Sequence, residues 1–395
     1  MSGFIFRSWL TYFASDALLS LVFGVLAATL AFAQAPASPT FEELSSKAQS
    51  VIDSDPTQAA ALLKQALALK PSWAEGWLYM GGTLYRLGRY QEAVDAFHKG
   101  TSLEPQIGTG WAFLGMAEAE LKKDRQALID IAKGENLGLG GNPQFEAAAR
   151  QTAAMVLIRH SMFDQALGQL QPLSKYPDMP PPVIEAAGLI TLTIPTPMSE
   201  LTESKRAIVR LAGEAQWAAI TKRPAEAEAA YKKLMDQYAN EPGVHYAYGL
   251  HLMGVDDMAA LEQFQTELKT NPNHWPSMLV CAFLMSRNGD AESALKMAQR
   301  ASKVAPAQYR WLCDAEEGRA YLTMDQPDKA IAAFEESVKL QPGNAETHHF
   351  LEQAYRRAGR KADAQRESQI FLKLKEAEDP KAVPNAPSSP PEGSK

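Results

Sequence analysis

The side chains best able to do chemistry in this sequence are seven histidines and two cysteines, and their spacing decides whether any of them can act together. His348, His349 and Glu352 form the clearest cluster. The step from His348 to Glu352 is four residues, which sets both on one face of a helix. A zinc site needs a further protein ligand, and the sequence places none beside them. His245 and His251 are six apart, on different helix faces, while His98, His160 and His274 have no histidine or carboxylate at metal spacing. These residues read as packing or solvated groups, so neither a metal nor a cofactor is expected. Gly138, Gly140 and Gly141 follow a helical stretch and precede Pro143, which makes them a turn and not a phosphate-cradling loop after a strand. There is no serine elbow, and neither cysteine has a histidine in catalytic context. The chain therefore reads as a protein that is not an enzyme.

Cys281 and Cys313 sit in apolar helical stretches, so buried free thiols are the first reading and a single bridge the second. The formal net charge of -7 gives no electrostatic reason to bind nucleic acid or an anionic bilayer. A length of 395 residues with 46% hydrophobic content suits either several ordinary domains or one extended array.

Residues 1–33 read as a signal peptide: Arg7 in the leader, an apolar run from Ala17 to Ala33, then Ala31-Phe32-Ala33 as a small-x-small cleavage site ahead of Gln34. Residues 34–39 form a polar linker without the basic flank of a stop-transfer segment. Export to the periplasm or medium is expected. The alternative is an inner-membrane anchor made of residues 17–33, and only then would a membrane be a partner.

Whatever positions the remaining side chains must repeat along the chain. Trp77 and Trp111, Gly81 and Gly115, and Ala93 and Ala127 are each 34 residues apart. An alanine then recurs at 59, 93, 127, 166, 227, 260, 294, 330 and 364, with a single long gap of 61 residues. The clearest unit reads Trp77-x2-Met80-Gly81-x2-Leu84, Ala93-x3-Phe97, Pro105, and a late unit carries Gly318-x2-Tyr321, Ala330-x3-Phe334, Pro342. Small residues at these slots let two helices approach closely, and large ones fill the space beside them. Gly88 and Gly359 stand where a helix end needs a left-handed residue, and Pro71, Pro105, Pro272, Pro306 and Pro342 stop the second helix of their units.

With these motifs the sequence resembles the tetratricopeptide-repeat family over most of residues 40–378. The resemblance implies an all-α fold, a right-handed superhelical solenoid of antiparallel helix pairs with about nine repeats. In its export signal, proline-broken middle and segment Val244-His245-Tyr246-Ala247-Tyr248-Gly249, the chain looks like exported repeat proteins of acidobacterial type.

The long gap holds Pro180-Pro181-Pro182, Pro195 and Pro197, with room for one short helix between them. It predicts an N-terminal block over 40–177, a broken linker over 178–202, and a C-terminal block over 203–378 that restarts with Thr202 as N-cap. The junction is expected to be packed yet weaker than its neighbours, so that the blocks open semi-independently. Residues 379–395, rich in proline, read as a disordered tail.

A repeat array of this kind implies a concave groove lined by the first helix of each pair and used to hold a peptide or partner helix. Counting from the Trp and Gly slots places Leu78, Tyr85, Arg86, Met116, Tyr246, Arg319, His349, Gln353 and Arg356 on that face. Some co-chaperone members clamp carboxylates with Lys, Asn and Arg at fixed groove positions. Here those positions hold Leu78, Gly82, Ala112 and Phe113, so that role is not implied. The expected function is a protein-interaction scaffold or assembly factor of the cell envelope, with an accessory enzyme subunit as the alternative. A protein or peptide partner is expected, self-association stays open, and nucleic acid is not. Cleavage after Ala33 is the first testable consequence: N-terminal sequencing of the protein from its host should begin at Gln34, and recovery of Met1 would establish the anchor instead.

Overall fold

The computed structural model describes residues 39–176 and 178–378, so the signal segment, most of the polar linker and the 379–395 tail lie outside the described residues. Among the described residues there are nineteen α-helices and no strand. The chain forms two compact units, with the division between Ala230 and Tyr231. The first contains α1 (Phe41–Val51), α2 (Pro56–Leu69), α3 (Ala74–Arg86), α4 (Tyr90–Leu103), α5 (Gly108–Glu120), α6 (Asp124–Leu137), α7 (Pro143–Arg159), α8 (Phe163–Leu170), α9 (Pro181–Thr191) and α10 (Glu203–Ile220). The division falls inside α11 (Pro224–Tyr238). The second unit continues with α12 (Val244–Leu252), α13 (Asp257–Thr270), α14 (Trp275–Arg287), α15 (Ala291–Val304), α16 (Arg310–Thr323), α17 (Pro327–Leu340), α18 (Ala345–Arg357) and α19 (Lys361–Glu378).

The sequence produces these helices by a repeated set of local instructions. Thr40 and Glu43 form a reciprocal capping box at the start of α1, and Asp55 and Thr202 each accept a backbone N–H from the first turn of α2 and α10. Pro71, Pro105, Pro272, Pro306 and Pro342 each lie two residues past the last residue of a helix, as expected. Between the helices of a pair the chain turns through one left-handed residue. Gly88, Gly289 and Gly359 fill that position in three turns, but Lys122, Ser161, Lys222 and Asp325 fill it in others at φ values of 55 to 60°. The turn is held by the main chain, as in the bonds from Arg89 N to Leu84 O and from Lys123 N to Glu118 O. That geometry imposes the left-handed residue whether or not glycine is present.

Within a pair, the first helix meets the second at the small slot. A Cβ on Gly81 would lie 2.6 Å from the Phe97 ring, one on Gly249 2.7 Å from Phe264, and one on Gly318 2.6 Å from Phe334. Each phenylalanine therefore lies flat on a bare stretch of backbone. The periodic alanines Ala59, Ala93, Ala127, Ala166, Ala227, Ala260, Ala294 and Ala330 are wholly buried, and Ala364 nearly so. Rings join successive pairs, with Phe97, Phe113 and Phe145 stacked at centroid distances of 5.6 and 4.5 Å.

The odd element is α9. It corresponds to the single short helix expected in the proline-broken segment, but the chain does not divide there, because 178–202 lies inside the first unit. Nor is α9 loosely held. Val183, Ala186, Ala187, Leu189, Ile190 and Leu192 are buried, and the backbones of α9 and α10 touch directly. A Cβ on Gly188 would lie 1.9 Å from Val209 O, and one on Gly213 2.0 Å from Ile184 O. This paired-glycine crossing makes α9 part of the first unit's core, where the proline content alone suggested a weak joint.

The crossing predicts a contrast between two glycines. Gly188→Ala forces the helices apart and should lower stability by about 2–3 kcal/mol. Gly168→Ala on α8, where an added Cβ meets nothing within 4 Å, should raise it by about 0.5–1 kcal/mol. Denaturant titration of both variants checks the pair, and equal effects would contradict the packing described.

Candidate functional site

Counting back from each periodic alanine gives every first helix a common register. Sixteen residues before it stands the tryptophan slot, held by Trp77, Trp111 and His348. Trp77 Nε1 donates to Pro71 O at 2.8 Å and Trp111 Nε1 to Pro105 O at 2.9 Å. His348 Nε2 lies 3.0 Å from Pro342 O, the same bond made by a different ring, and its Nδ1 lies 2.7 Å from Glu367 Oε2. Both nitrogens are thus occupied by structural partners. No group of three metal-ligating side chains occurs among the described residues.

Seven residues before the alanine stands a second recurring side chain: Arg86, Arg159, Arg287 and Arg357. Each reaches back to the preceding pair. Arg86 donates to Ile52 O at 2.8 Å and to Asp53, Arg159 to Asp124 at 3.0 Å, Arg287 to Asp257 at 2.6 Å, and Arg357 to Leu322 O at 2.6 Å. The cation sits on the last carbonyls of a helix or on the acid that opens the next one, where both the dipole and the free acceptors favour it. Arg86, expected on the binding face, is therefore a tie between repeats.

Two more of the expected face residues are core. Leu78 and Met116 are each 5% exposed. Leu78 fills the space over Gly100 and Gly110, which lack a Cβ to hold it off. The phase count failed there because small residues on the neighbouring helices draw this side of the first helix inward. Tyr85 is half-buried, its hydroxyl donating to Glu120 at 3.4 Å and its ring edge-on to Tyr90 at 5.4 Å; burial and then Glu120 raise its pKa.

In the second unit the expectation meets a real assembly. Arg319 on α16 lies with its guanidinium carbon 4.0 Å from the Phe350 ring centroid and 5.4 Å from that of Phe283, joining α14, α16 and α18. It pairs with Glu346 at 2.8 Å and with Glu316 at 3.3 Å. Burial pushes Glu316 up to about 7 against the pull of Arg319. Beside this group, His349 is 2.8 Å from Gln353 Nε2 and its ring is 5.1 Å from Phe371. Arg356 pairs with Glu352 while remaining 70% exposed. Tyr246 lies on α12 against Phe264 and His274, at 5.7 and 4.8 Å, and burial lowers the His274 pKa to about 4. The structure thus groups Arg319, His349, Gln353 and Arg356, with Phe283, Phe350 and Glu346 as members that sequence reasoning missed. The signal was available for one of them, because Phe283, Arg319 and Gln353 all stand eleven residues before their alanine.

This face presents aromatic rings and paired charges and no nucleophile with a base. Cys281 and Cys313 are free and buried, and burial pushes both thiols up to about 12, which makes them inert. No helix among the described residues is long and apolar enough to cross a membrane.

One titrating group has a measurable consequence. Glu118 on α5 is 2% exposed and hydrogen-bonded to Asp130 on α6, itself 3% exposed. Burial, followed by the charge and hydrogen bond of Asp130, pushes Glu118 up to about 8. A carboxyl whose folded pKa lies above its unfolded value contributes stability that is complete below about 4.5 and is lost as pH rises through about 8. Glu118→Gln should therefore flatten the decline of stability between those limits, by on the order of a few kcal/mol. Thermal melts of both proteins across that range test it, and parallel curves would refute the assignment.

Comparison with known proteins adds the following. The tetratricopeptide-repeat family model matches residues 53–101 and, in a second form, 316–344. No curated protein matches the sequence. Among solved structures, MamA from Desulfovibrio magneticus RS-1 is 23% identical with a TM-score of 0.39, covering 44% of this chain and 97% of that one. PilF of Pseudomonas aeruginosa is 14% identical with a TM-score of 0.40, covering 44% of this chain and 78% of that one. With the helix register and the two matched segments, the fold is an all-α array of tetratricopeptide-type helix hairpins.

Proposed function

We propose that this chain is a non-enzymatic scaffold of the cell envelope that holds a protein partner on the first-helix face of its repeats. The observation that carries the reading is the run of half-exposed rings and charges across α14, α16 and α18, made of Phe283, Arg319, Phe350, His349, Gln353 and Arg356. Rings that are fixed by packing and only partly covered lose little freedom on binding, and arginine beside aromatic side chains is the composition that dominates protein interfaces. The envelope part of the proposal rests on the Ala17–Ala33 run and the Ala31-Phe32-Ala33 site.

The test is affinity purification of the mature chain from envelope extract of its host, in parallel with the double variant Gln353→Ala, Arg356→Ala. Both replaced side chains lie at the surface, so folding should be retained. The expected outcome is a defined protein complex with the parent chain that falls at least about tenfold in yield with the variant. Turnover of small substrates by the isolated chain would sink the proposal.

A further inference from the structure

The odd helix α9 has a second effect besides welding the first unit. Its proline-bearing approach and the link that leaves it hold α7 and α10 around a cleft of 1240 Å³. One wall is α7, where Gln144, Ala147, Ala148 and Gln151 form a single stripe. The opposite wall is Met179 to Pro182 and the short 3-10 turn at Met198–Glu200.

The cleft is built and stiff. Arg206 donates to Met198 O at 2.9 Å and to Ser199 O at 3.3 Å, pinning the 3-10 turn to α10. Arg210 bonds Glu185 at 3.1 Å and Glu203 at 3.2 Å, and Arg206 also bonds Glu203 at 3.3 Å. Two guanidinium groups are thus balanced by two carboxylates, and Asp178 stands at the exposed rim. An ionic ligand finds no uncompensated charge deep in the cleft and would lose its hydration without replacement. An uncharged ligand with apolar groups meets proline, methionine and alanine surface that gains by leaving water.

The glutamines say what kind of uncharged ligand fits. Neither side-chain amide has a hydrogen bond among the described residues, and the two stand two helical turns apart on the same face, about 10.5 Å at 1.5 Å per residue. An extended chain rises about 3.3 Å per residue, so main-chain amides three residues apart span nearly the same distance. Each glutamine carries both a donor and an acceptor and can bond either end of a peptide group. The cleft also exceeds the roughly 300–1,000 Å³ typical of small-molecule sites.

From this geometry we infer that the cleft beside α9 binds an extended, uncharged peptide segment of a partner protein, with its main chain on Gln144 and Gln151 and its apolar side chains on the Met179–Pro182 and Ala147–Ala148 walls. The inference rests on the scaffold reading above and gives it a second, chemically distinct contact.

The experiment offers the full chain a synthetic array of end-capped peptides graded in net charge and in apolar content, and follows binding by fluorescence anisotropy at low and high salt. Uncharged, apolar peptides should bind best, with affinity little altered by salt. Ala148→Arg, which fills the cleft, and Gln151→Glu, which places a charge in it, should each weaken binding about tenfold or more. Gln353→Ala in the other unit should leave it unchanged. Circular dichroism establishes that each variant is folded, and Gln151→Glu, an isosteric change at the surface, keeps the test decisive if the arginine variant is not. Selection of charged peptides with salt-sensitive binding, binding indifferent to both cleft variants, or no binding at all would each overturn the inference. A partner complex that survives Ala148→Arg but is lost with Gln353→Ala, Arg356→Ala would overturn the cleft while leaving the scaffold reading intact.

Discussion

Everything in this fold depends on how closely the two helices of a pair can approach. Where Gly81, Gly249 and Gly318 expose bare backbone, Phe97, Phe264 and Phe334 lie flat upon it, and the alanine of the second helix closes the same contact from the other side. A methyl group at the glycine would stand inside the ring. The tolerance is therefore a few tenths of an ångström, and it fixes the angle and separation of each hairpin before any neighbour is added. Stacking then follows, because a hairpin with one flat apolar side can cover it only against another of the same shape.

This explains which parts were legible in the sequence. The small slot, the ring beneath it and the proline after it are demands of local geometry, so they recur as residue types at fixed spacing, and the helices fall where the spacing puts them. The binding face was only partly legible. Leu78 and Met116 share the face by phase but are drawn into the core by Gly100 and Gly110 on adjoining helices, a relation between repeats that no single period displays. His348 illustrates the opposite error. Considered beside Glu352 it suggested metal chemistry, whereas its register shows it to be a substitute for tryptophan, tied to the same proline carbonyl. The left-handed turns at Lys122, Ser161, Lys222 and Asp325 were silent for a related reason, since the hydrogen bonds that impose them are made by main chain and leave no mark on residue type.

The proline-broken segment was the place where composition misled most. Three consecutive prolines set where α9 can begin, and nothing more. Its strength comes from Gly188 against Val209 and Gly213 against Ile184, where two backbones meet with no side chain between them. Such a crossing has no signature except a glycine on each helix. The same insertion leaves α7 uncovered along the Gln144–Gln151 stripe, so the element that interrupts the period also creates the most pronounced concavity of its unit.

The arginines seven residues before the periodic alanine have a consequence for how the chain is made. Arg86, Arg159, Arg287 and Arg357 all reach toward residues that precede them, by between 30 and 36 positions. None of these ties waits for a later repeat. During synthesis each hairpin that leaves the ribosome finds its anchor already folded, so the array can be completed from its first hairpin onward, with only the newest one unfastened at any moment.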